Sequence, residues 1–77
     1  MDFREWLIKE KKYSERSSKD VLSRLRRVNT LVNEDVIDNT TLDKLINLEE
    51  FKVLSVSIRS QLKRAIRLNM EYVDAFK

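Results

Sequence analysis

The 77-residue chain contains no glycine, no proline, no cysteine and no histidine. Each absence removes a class of chemistry. Without cysteine there is no disulfide framework, no thiolate nucleophile and no thiolate metal site. Without histidine there is no imidazole ligand and no general base poised near neutrality. Without glycine there is neither a phosphate-cradling P-loop nor a G-x-G-x-x-G turn. A hydrolase or redox enzyme would have to be built from carboxylates, amines and hydroxyls alone. Catalysis is therefore not expected, nor is a cofactor or a metal. Long apolar runs are missing as well. None approaches the roughly 20 residues of a membrane span, and no signal-peptide core follows Met1. The expectation is a soluble, cytoplasmic protein that does not engage a membrane.

What is present suits a small helical domain. The composition is 42% hydrophobic and 38% charged, enough apolar material to fold rather than stay disordered. A chain this short reads as one domain, residues 1–77, burying roughly 60% of the surface its unfolded form exposes. Lack of Gly and Pro favours helices joined by tight polar turns, because hairpins usually need Gly or Asn at positive φ. Asp2-x-x-Glu5 reads as a capping box opening a first helix, with Met1 and Trp6 spaced as a hydrophobic staple. Lys11-Lys12-Tyr13 forms the turn. A second helix, capped at Ser14 or Ser17, runs to about Val32 and gathers Val21, Leu22, Leu25, Val28 and Val32 on one face. Residues 33–40 make a polar connection with Val36-Ile37 inside it. Thr40-x-x-Asp43 is placed to cap a short third helix carrying Leu42, Leu45 and Ile46, and 48–54 adds a turn or a further short helix. The last helix, capped near Ser55 or Ser57, strings Ile58, Leu62, Ala65, Ile66, Tyr72, Val73 and Phe76 along a stripe. The fold expected is all-α, a small orthogonal bundle of four to five helices.

Charge is distributed unevenly. The net +3 of the whole chain resolves into +1 over residues 1–12, +3 over 13–32, −5 over 33–50 and +4 over 51–77. Two basic helices thus flank an acidic connection. On the second helix Arg16, Lys19, Ser23, Arg26, Arg27 and Thr30 lie opposite the apolar stripe. On the last, Ser60, Lys63, Arg64 and Arg67 do so, with Arg59 on the flank and Glu71 and Asp74 only towards the C-terminal end. Cations early in a helix oppose its macrodipole at a cost of a few tenths of a kcal/mol, up to about 1. Local stability therefore does not account for Arg59, whereas a phosphate partner does. Basic faces interleaved with hydroxyls match what phosphate positioning uses, and a helix fits the DNA major groove.

The residues also resemble a known family. Phe3-Arg4-Glu5-Trp6-Leu7, then Tyr13-Ser14 and Ser17, then Val21-Leu22-Ser23-Arg24-Leu25-Arg26-Arg27 is similar to the opening of phage-integrase N-terminal domains. These are the SAM-like core-binding domains of tyrosine recombinases, with an F-x-x-W-L … Y-S-x-x-T/S … Y-L-S-x-L-R run over their first two helices. Ser57-Ile58-Arg59-Ser60-Gln61-Leu62-Lys63-Arg64-Ala65 resembles the family's last major helix. The resemblance implies a helical bundle that clamps one side of double-stranded DNA, its second and fourth helices approaching the major groove beside the site of strand exchange. By position it assigns DNA contact to Arg16, Lys19, Ser23, Arg26, Arg27, Arg59, Ser60, Lys63, Arg64 and Arg67.

That family cleaves DNA with Arg, Lys, His and a Tyr nucleophile in a separate C-terminal domain. Because this chain has no His and ends at Lys77, the expectation is DNA binding without catalysis, as an N-terminal piece of a recombinase or a free-standing relative. Partners implied are duplex DNA, and a C-terminal catalytic domain or recombinase protomers. Tyr13 and Tyr72 read as packing residues rather than nucleophiles, and Trp6 as core. Glu34, Asp35 and Asp38 lack EF-hand spacing and its Gly, so they read as a solvated loop. Asn69 interrupts the last stripe, read as a bonded amide or as one edge of a docking surface that exposure of Met70 and Phe76 would favour. The alternative function is a helical protein–protein module or a small phage or plasmid regulator without direct DNA contact.

Overall fold

Three of the helices begin on a side-chain oxygen. Asp2 Oδ1 accepts from the Glu5 N–H at 2.8 Å, Ser14 Oγ from the Ser17 N–H at 3.1 Å, and Ser55 Oγ from the Ile58 N–H at 3.2 Å. Each oxygen satisfies one of the N–H groups that a helix start leaves without a partner. These caps open α1 (Phe3–Lys9), α2 (Glu15–Val32) and α5 (Val56–Ala75), and two short helices, α3 (Thr41–Ile46) and α4 (Glu49–Lys52), lie between. The computed structural model describes residues 1–76, and among them there is no strand. The fold is all-α, with five helices over the described residues. None of these helices is long and apolar enough to cross a membrane.

In a chain without glycine, the left-handed positions fall to Lys12 at φ 60° and Asn33 at φ 58°. Asn tolerates that region and ends α2 there, its N–H reaching the Asn29 carbonyl. Lys12 occupies the α1–α2 turn, which is held by the Tyr13 N–H donating to the Leu7 carbonyl at 3.0 Å.

Thr40 is not the side-chain cap that its spacing predicted. It occupies the N-cap position of α3 with helical φ −98° and ψ −13°, and makes no capping bond. Asp38 takes over two residues earlier. Its carboxylate accepts from the Thr40 N–H at 2.8 Å and the Thr40 hydroxyl at 2.6 Å, and the Thr41 hydroxyl accepts from the Asp38 N–H at 2.9 Å. An Asx-type turn has outcompeted the expected box.

Two apolar clusters form the core. The first joins Phe3, Trp6 and Leu7 of α1 to Val21 and Leu25 of α2 and to Ala65 and Leu68 of α5. The second joins Val28 of α2, Leu45 of α3 and Phe51 of α4 to Leu62 and Ile66 of α5. α2 and α5 enter both and so form the spine. The expected stripe on α5 needs correction at its far end. Leu68 is buried, while Val73 and Phe76 are 43% and 55% exposed. Twenty residues span about 30 Å, and the helix outruns the clusters it packs against. Met1, placed to staple against Trp6, is half exposed, and its carbonyl accepts from the Tyr72 hydroxyl at 2.7 Å. Trp6 packs with Phe3 and Tyr72, ring centroids 6.1 and 5.6 Å away. Asn69 is half-buried.

Candidate nucleic-acid interface

Burial of Val21, Leu25 and Val28 turns the opposite side of α2 outward. Arg16, Lys19, Ser23, Arg26, Arg27 and Thr30 are all exposed there. Burial of Leu62, Ala65 and Ile66 does the same for α5, where Ser60, Arg64 and Arg67 are exposed and Arg59 and Lys63 half-buried. Thr30 is spent locally, its hydroxyl donating to the Arg26 carbonyl at 3.0 Å.

The two helices meet along a cleft. One half is lined by Tyr13, Ser17, Asp20, Arg24, Gln61 and Arg64, with Val21, Ala65 and Leu68 at its floor. The other, about 410 Å³, is lined by Asp20, Ser23, Arg24, Arg27 and Gln61 over Ile58 and Leu62. Numbers rise along α2 as they fall along α5, so the helices run antiparallel. Of the ten residues assigned from sequence, the cleft brings together Ser23, Arg27 and Arg64. Lys19 and Arg26 are turned roughly 140° or more around α2 from Arg24, on the far shoulder. Arg16 on α2, and Arg59, Ser60, Lys63 and Arg67 on α5, also lie outside the cleft lining.

Sequence reasoning missed Arg24, Asp20 and Gln61, which line both halves. They sit at the seam between the apolar and polar faces of their helices, where a helical wheel assigns nothing until the neighbouring helix is known. The family-like run through Arg24 was the available signal.

Pairing of charge differs between the two basic faces and most of the rest of the chain, where Lys12 alone among the described cations is also outside any ion pair. Arg4–Glu15, Lys9–Glu5, Lys11–Glu71, Lys44–Glu34 and Lys52–Glu49 form ion pairs, and every cation among them lies outside the two basic faces. Among the described residues, Arg16, Lys19, Arg24, Arg26, Arg27, Arg59, Lys63 and Arg67 enter none. Arg64 is bonded to a neutral group, the Tyr13 hydroxyl, which pushes its guanidinium further above an already high value. Charge placement within α5 adds to this. Its first turn holds no acid and its last no base, the reverse of what the macrodipole favours. Arg59 Nε is buried with no hydrogen-bond partner among the described residues.

The acidic connection is occupied by its own contacts. Glu34 binds Lys44 at 2.5 Å, and Asp38 is engaged by Thr40. Among the described residues no group of three or more His, Cys, Asp or Glu side chains is arranged to hold a metal ion. Tyr72 is taken up by packing against Phe3, Trp6 and Phe76. No protein-family model, no curated protein and no solved structure matches this chain.

Proposed function

We propose that this chain is a non-catalytic module that binds double-stranded DNA through the outward sides of α2 and α5. The observation that carries the reading is the division between paired and unpaired cations. A surface that served only solubility would pair its bases with acids, as Arg4, Lys9, Lys11, Lys44 and Lys52 are paired here. Eight unpaired cations on two adjoining helices repel one another, and phosphates supply the missing counter-charge. The resemblance to the core-binding domains of tyrosine recombinases supports the same faces. On that reading the helices form a SAM-like orthogonal bundle, and the protein partners are a catalytic domain or recombinase protomers.

The test is a titration of a random 20-base-pair duplex followed by fluorescence anisotropy between 50 and 200 mM salt. With about six phosphates neutralised, log K falls against log salt with a slope of roughly −5. The variant R26E/R27E/K63E/R67E, with its circular dichroism unchanged, loses binding. Retained binding in that variant overturns the proposal.

A second reading, a protein–protein module, is favoured by one observation. The C-terminal turns of α5 expose Val73 and Phe76, and Met70 and Val73 border a cavity of about 380 Å³ with Ile37. It calls for a complex insensitive to salt and no shift of duplex DNA.

A further inference from the structure

Resting on the DNA-binding reading, we infer that the cleft between α2 and α5 seats one phosphodiester strand. In this arrangement Arg24 is a phosphate ligand and Asp20 is a built-in limit on affinity. A strand backbone is a convex, continuously charged ridge, and the cleft is its concave complement. Arg64 stands at one end, Arg27 at the other, and Arg24 between them lines both halves. Arg64 is already fixed by the Tyr13 hydroxyl at 3.2 Å, so little ordering is left for binding to impose. Gln61 contributes a neutral amide that donates to phosphate oxygens as an arginine does.

Asp20 gives the cleft its distinctive character. It stands four residues from both Arg16 and Arg24, the spacing at which helical ion pairs form. Among the described residues it pairs with neither. Arg24 therefore keeps its charge for an external anion, while the Asp20 carboxylate borders the same space and repels that anion. The pairing of an unspent arginine with an unspent acid holds affinity for any single backbone segment down. A protein built this way releases non-specific DNA readily.

The experiment uses the same duplex titration on wild type, R24Q and D20N. One phosphate contact carries a salt slope of about 0.9, which at 100 mM salt is close to eightfold in affinity. R24Q therefore weakens binding about five- to tenfold and reduces the slope by about 0.9. D20N tightens binding at least threefold, by a margin that shrinks as salt rises. A gain of affinity cannot come from misfolding, so D20N keeps the inference falsifiable if R24Q is unstable. If both stay within twofold of wild type while R26E/R27E/K63E/R67E loses binding, the cleft is not the seat, and the broader DNA reading survives. If wild type binds no duplex, both fall. A competition arm adds inorganic phosphate at constant ionic strength. Displacement beyond what chloride gives, lost in R24Q, supports phosphate oxygens seated at Arg24, and an excess unchanged in R24Q overturns that seat.

Discussion

The Tyr13 hydroxyl accepts two hydrogen bonds from Arg64, from Nη2 at 3.2 Å and from Nε at 3.4 Å, fastening the turn before α2 to the middle of α5. The ring beneath it is half-buried against the first core cluster. Tyr13→Phe keeps that packing and deletes the bonds. The expected loss of stability is small, because the pair is exposed and water replaces the deleted bonds. Tm falls by a few degrees at most. Duplex affinity falls less than about threefold, since the Arg64 charge stays, whereas Arg64→Gln falls further. Equal affinity losses for the two variants would show that Tyr13 touches the ligand itself.

The caps separate two serines that sequence alone left equivalent. Ser55 Oγ accepts from the Ile58 N–H, whereas Ser57 lies inside α5. Ser55→Ala costs about 1 kcal/mol, and Ser57→Ala stays within about 0.5. Urea unfolding followed through Trp6 fluorescence distinguishes them, and a larger effect at Ser57 would place the cap wrongly.

Core and surface valines and leucines should behave very differently. Leu62 is 1% exposed in the second cluster and Val53 is 81% exposed. Leu62→Ala costs about 2–5 kcal/mol, which is most of what a single small core supplies. That variant is largely unfolded at 25 °C by circular dichroism. Val53→Ala shifts the urea midpoint within error.

Asp38 sets an acid limit. The Thr40 hydroxyl and then the Thr40 N–H hold its carboxyl below the usual carboxylate range, with Lys44 and Thr41 adding to the effect against partial desolvation. The folded value is thus lower than the unfolded one, about 3.9. Its stabilisation is complete above that pH and is lost as pH falls through the lower folded value. The Tm gap between wild type and Asp38→Asn therefore holds constant from pH 7 to about 5 and begins to narrow below about 4. A gap that stays constant as pH falls from 5 to 2.5 contradicts this account.

Much of the architecture was readable from local pattern. The cap at Asp2, the turn at Lys12 and the outward side of α2 all follow from neighbours within four residues, while the structure chooses Ser14 over Ser17 as the cap of α2. What escaped depended on tertiary placement. Thr40 lost its role to Asp38 because its own backbone is helical, which spacing cannot reveal. Val73 and Phe76 obey the apolar period but extend past anything that could cover them. Arg24, Asp20 and Gln61 acquire meaning only from the position of the opposing helix. The ten assigned positions were found as two separate faces, and the cleft joining Ser23, Arg27 and Arg64 could not be seen from either helix alone.

Ile37, a half-buried residue in the acidic connection, packs against both core clusters. α2 and α5 carry members of both clusters, and Ile37 touches both from the connection between α2 and α3. Shortening it to alanine loosens that tie while leaving each cluster's own members in place. The unfolding transition of Ile37→Ala is then expected to be broader than that of the wild type, though α2 and α5 still join the two clusters. One isoleucine in a polar connector therefore contributes to the cooperativity with which the whole chain unfolds.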